Sequence, residues 1–155
     1  MNAADFFNEC VDPTLDDFRQ NHMSRRHAIA AVALVDMSMA YIHREEAREQ
    51  DIKFDDLNFR NDLAGECYQV EIIRDLAKAQ KHVELTRGKP VLKYVEDMNA
   101  RPRAYGTGRF GEGLYGGGFV VKVKEKGSDL PTEYSLLELL DQAINFLKTR
   151  LQSLG

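Results

Sequence analysis

Cysteine is scarce: Cys10 and Cys67 stand far apart, neither in a CxxC pair nor beside a histidine. That excludes a disulfide framework and a zinc finger, so both thiols are expected to be reduced packing residues. Long apolar runs are lacking too. The most apolar stretch, 28–42, is broken by Asp36 and Ser38 and flanked by Arg25, Arg26, His43 and Arg44. It is too short to span about 30 Å of hydrocarbon, and no membrane association is expected. The opening MNAADFFNEC has no basic n-region and carries acids where a signal peptide would be apolar, so a cytoplasmic location is the expectation. Tandem repeats are absent, which excludes solenoid architectures.

What is present suffices for one core. A chain of 155 residues with 43% hydrophobic content suits a single domain. The net charge of −4 conceals an asymmetry: residues 87–126 hold nine Lys or Arg against four Asp or Glu, net +5, leaving −9 for the rest. An anionic partner would bind there. The alternative is that these charges keep a β-rich segment soluble.

The spacing of apolar residues then divides the chain. Asp12 and Pro13 suit the start of a short helix running towards Asn21. Ser24 can cap a second helix over Arg25 to Arg48, whose middle, AIAAVALVDMSMAYI, is apolar almost all round, as in the central helix of a bundle. Residues 51–66 read either as a short helix or as an ordered connection. A further helix from about Cys67 to Leu85 has Tyr68, Ile72, Ile73, Leu76, Ala79 and Val83 on one stripe. Arg87, Gly88 and Pro90 end it.

After Pro90 the period alternates, in PVLKYVEDM and again in GFVVKVKEKG, which predicts two strands. In the second, Phe119, Val121 and Val123 share one face and Lys122, Lys124 and Lys126 the other. A loop with seven glycines, 106–118, lies between them. Ser135 and Glu138 suit the start of a closing amphipathic helix through Leu137, Leu140, Ile144, Leu147 and Leu151. The expected fold is therefore α+β and mainly α: a helical bundle over 1–86, a basic, glycine-rich, antiparallel β-element over 87–134, and a closing helix over 135–153.

The residues that could carry chemistry cluster in EIIRDLAKAQKHVEL. At about 100° per residue, Glu71, Asp75, Lys78 and His82 fall within roughly 60° of one another, with Arg74 beside them. Arg74 and Lys78 could hold a phosphate while His82 moves a proton, as metal-free RNA cleavage requires. Asp75 could orient His82 only through a bend or a water, because seven residues cover about 10.5 Å along a helix. The same distance prevents one metal ion from touching Glu71, Asp75 and His82 together, so no metal or cofactor is expected. The competing reading pairs Asp75 locally with Lys78 and makes His82 a hydrogen-bonded histidine where helix and sheet meet.

Elsewhere, His27 shares a face of the central helix with Leu34, Ser38 and Tyr41 and could meet His82 across helices. Asp36 and His43 lie on a different face. Asp36 sits among apolar residues and must find a partner or face a cavity. The glycines at 106, 108 and 111 match G-x-G-x-x-G, but no βαβ unit surrounds them, so a dinucleotide site is not expected. Arg109, Phe110, Tyr115 and Phe119 could instead stack bases and meet phosphates on a single strand, or pin the loop to the sheet.

Three segments, HAIAAVALVDMSMAYIH, RDLAKAQKHVEL and GTGRFGEGLYGGG, resemble an uncharacterised bacterial family with the same landmarks in order, over about two-thirds of the chain. That resemblance implies a shared fold. The bundle with an arginine followed by a histidine on one helix also resembles HEPN domains, many of which are RNases or RNA-binding relatives. Their motif has an arginine, a polar residue and a histidine, with four to six residues between Arg and His. Arg74 and Asp75 match its first two positions, and seven residues separate Arg74 from His82. The resemblance implies an RNA partner and, for an enzyme, a ribonuclease with Arg74, Asp75 and His82 as catalytic residues. The rival expectation is a non-enzymatic interaction protein. A homodimer is expected in either case.

Overall fold

The computed structural model describes residues 1–101, 117–125 and 127–154. Arg109, Phe110, Tyr115, Lys126 and most of the glycine loop lie outside the described residues.

The architecture is α+β and mainly helical, with a three-stranded antiparallel sheet ahead of the closing helix. Its helices are α1 (Ala3–Phe6), α2 (Asp12–Gln20), α3 (Arg25–Glu49), α4 (Asp56–Glu66), α5 (Tyr68–His82) and α6 (Leu136–Gln152). The strands β1 (Met98–Arg101), β2 (Gly118–Val123) and β3 (Thr132–Ser135) pair in that order. Helix α3 is central, packing on α2, α4, α5 and α6, and Ser24 caps it by accepting the His27 amide. Its apolar middle is buried at Ala28, Val32, Val35, Met39 and Ile42. The uncertain stretch before Cys67 forms α4, capped by the Asp55 side chain. No helix among the described residues is long and apolar enough to cross a membrane.

The first helix departs from expectation. The chain is helical from Ala3 rather than from Pro13, with Asn2 as the cap and a wide π-turn over Phe7–Val11. Proline lacks the N–H that a regular ladder needs, and the bulge just before it absorbs the irregularity. Burial of Ala3, Phe6, Phe7 and Val11 in the core is the compensating gain. Asp12, expected as a cap, has helical dihedrals and its carboxylate accepts from Lys148 Nζ of α6 at 2.7 Å.

The β-element also differs in detail. In β2, Phe119, Val121 and Val123 are buried while Lys122 is exposed, and Phe119 meets Phe18 of α2 with ring centroids 6.3 Å apart. The expected strand after Pro90 is not a member of the sheet, because β1 begins only at Met98 and pairs Met98 with Val121. Residues 91–95 instead return along the end of α5: the Leu85 amide donates to Lys93 O and the Val95 amide to Val83 O. Helix α5 correspondingly stops at His82 rather than Leu85. β3 runs directly into α6, and Ser135 Oγ accepts the Glu138 amide at their junction.

Candidate functional site

Asp75 lies on the core-facing side of α5 and is 2% exposed. An ionised carboxylate there must be bonded on both oxygens. Oδ1 accepts from Nε and Nη2 of Arg74 at 3.0 and 2.9 Å, and Oδ2 accepts the Val91 amide at 2.9 Å. Arg74 Nη1 donates to Asn61 Oδ1 of α4 at 3.1 Å, and Glu71 Oε1 lies 3.9 Å from Nη2. Asp75 thus pairs with Arg74 rather than with Lys78, and Arg74 and Asp75 tie α5 to α4 and to Val91.

Asp36 answers to the same end of the bundle. It is 5% exposed, and its Oδ1 accepts from Arg60 Nη1 of α4 at 2.6 Å. That nitrogen also donates to the Asp36 carbonyl, while Arg60 Nε donates to Asp56 Oδ2. Lys81 Nζ stands 3.8 Å from the second oxygen of Asp36. Burial raises the Asp36 pKa, against the opposing pull of Arg60 and Lys81. Lys78 lies in the field of both buried acids and donates no hydrogen bond to any described residue. Its pKa is lowered, first by burial and then by Arg74, with Asp75 and Asp36 acting the other way.

The histidines are placed apart. His82 is exposed at the last position of α5, seven residues beyond Asp75 and about 10.5 Å along the axis. His27 is half-buried with Nε2 3.5 Å from Arg26 Nη2, and no hydrogen bond or ring contact joins it to His82. Arg74, Asp75 and His82 therefore do not assemble into a proton-transfer group. His43 is buried between Phe54 and Phe59, with centroids 4.7 and 4.4 Å away, and its Nε2 accepts the Asp55 amide. It secures the start of α4.

Arg60, Val91 and Lys81 are the participants that sequence reasoning missed. The demand of Asp36 for a partner was visible; the identity of that partner depends on how α3 and α4 cross. A cleft of about 670 Å³ also escaped notice, lined by Glu46, Asp55, Asp62 and Glu66 against Lys53 and Arg150. Its acidic balance is unsuited to a phosphate. Positive charge lies beyond α5: Arg87 and Lys89 are exposed and form no ion pair among the described residues. Among those residues no group of three His, Cys, Asp or Glu side chains is placed to hold a metal ion. The chain matches no protein-family model, no curated protein and no solved structure.

Proposed function

We propose that the chain binds single-stranded RNA without cleaving it, through the C-terminal end of α5 and the hairpin of residues 83–95. The observation that carries this reading is the division of the polar stripe. Arg74 and Asp75 are bonded to each other and to Val91, while His82 is exposed at the end of α5 and the exposed cations Arg87 and Lys89 of the following hairpin form no ion pair among the described residues. Cations without committed carboxylates can neutralise phosphates; a histidine with no partner to orient it is a poor proton shuttle. The resemblance to HEPN domains supports RNA as the anion.

The test is fluorescence anisotropy of a labelled single-stranded RNA across about 50 to 200 mM salt. The variant Arg87→Ala/Lys89→Ala should bind at least tenfold more weakly, and its salt slope should be shallower by about 1.4, from roughly 0.7 per lost phosphate contact. The RNA should be recovered intact. Absence of binding at the lowest salt, or cleavage abolished by His82→Ala, would overturn the reading.

A second reading, a self-associating interaction protein, is favoured by one observation. Ile29 and Met37 on α3, with Phe54 and Leu57 further along, are large apolar side chains between 38% and 63% exposed. Such groups drive association when they adjoin one another. Under this reading light scattering gives twice the 17.7 kDa chain mass, and Met37→Glu returns it to the monomer value. A monomeric parent protein would dismiss it.

A further inference from the structure

Val83 follows the last residue of α5 with φ 65° and ψ −43°. A β-branched side chain is a steric outlier at positive φ, where glycine or asparagine is expected. The Glu84 amide donates to His82 O at 2.7 Å, so the three residues form the strained form of the γ-turn. Three further hydrogen bonds hold it. The Val83 amide donates to Ala79 O, and the Val95 amide to Val83 O and the Leu85 amide to Lys93 O pair Glu84 with Tyr94 as an antiparallel bridge.

Strain of this kind is ordinarily offset by packing, but Val83 is 59% exposed. Nothing inside the fold accounts for valine at a position where glycine would relieve the backbone. The turn does have an external consequence. It ends α5 abruptly, reverses the chain, and sets an exposed apolar side chain at the start of a segment that carries the exposed cations Arg87 and Lys89, while Lys93 pairs with Glu84 at 3.1 Å and lies over the Tyr94 ring. Backbone outliers that internal packing does not explain point to contact sites.

We propose that Val83 is a base-contacting residue: its exposed side chain meets unstacked bases while Arg87 and Lys89 of the same hairpin meet phosphates. The inference rests on the single-stranded RNA reading above and names the side chain that meets its bases, since bases inside a duplex offer no face to an apolar tip.

The test uses the full chain with Val83→Gly and Val83→Asn, both residues that accept positive φ. Each should raise the melting temperature and weaken binding of single-stranded RNA at least fivefold. Because valine carries no charge, the slope of log affinity against log salt should be unchanged. A duplex of equal length should bind more weakly than the single strand and be indifferent to both substitutions. A raised melting temperature with full RNA affinity would overturn the inference and leave single-stranded RNA binding standing, whereas equal binding of duplex and single strand would overturn both. A lowered melting temperature would refute the premise of strain. A parent protein that binds no RNA would remove the RNA-binding reading itself and this inference with it.

Discussion

The carboxylate of Asp75 accepts the backbone amide of Val91 at 2.9 Å, and the carbonyl of the same Val91 accepts the amide of Lys124. One residue of an irregular segment therefore ties helix α5 to the end of β2. Asp75 acts here as an anchor for the β-element, which explains why it is the most buried member of the polar stripe on α5.

Asp75→Ala should be among the most damaging single substitutions. It leaves the Val91 amide and the largely buried Arg74 without their acceptor, at a cost of about 3 kcal/mol. Asp75→Asn keeps one acceptor oxygen and should cost less. Chemical denaturation measures the difference, and hydrogen exchange at the Val91 amide should accelerate in the alanine variant while amides in the middle of α3 stay protected.

Arg60 and Asp36 should behave as a coupled pair. Arg60→Leu strands a buried carboxylate and should cost about 3 kcal/mol, whereas replacing both Arg60 and Asp36 by leucine should cost less than the sum of the two single leucine changes. A double-mutant cycle showing additivity within about 0.5 kcal/mol would mean that the pair contributes no coupling.

Lys78 should titrate below the ordinary lysine value of 10.5. The unfolded chain then holds a proton that the folded chain has released, so stability from this group is present above 10.5 and is lost as the pH falls through the folded value. Lys78→Met should remove that alkaline increment from the stability-against-pH profile. NMR titration of the lysine side chains should show Lys78 as an early one to lose its proton.

His82→Ala should leave the melting curve within about 0.5 kcal/mol of the parent, as for an exposed residue with no packed partner. A loss of more than about 1 kcal/mol would place His82 in the structural network after all.

Much of the fold was legible because its signals are local. The cap at Ser24, the apolar periodicity of α3 and α6, and the alternation of Phe119, Val121 and Val123 each act within a few residues. The misreadings share one cause. Val83 continues the apolar stripe of α5, yet the helix ends before it because Val83 and Leu85 pair with Val95 and Lys93. PVLKYVEDM alternates like a strand, yet Val91 bonds to a side chain on α5 and the sheet starts later. Pro13 resembles a helix start, yet burial of Phe6 and Phe7 extends the helix ahead of it.

The sequence by itself determined the helical bundle, the late antiparallel β-element, the grouping of Glu71, Arg74 and Asp75, and the need of Asp36 for a partner. These follow from periodicity and from the cost of burying charge. Only the tertiary structure decided that Arg60 meets Asp36, that Val91 meets Asp75, and that His82 is excluded from both. Those outcomes depend on how helices cross and where a chain reversal falls, and each joins residues at least 16 positions apart, beyond the reach of any local pattern.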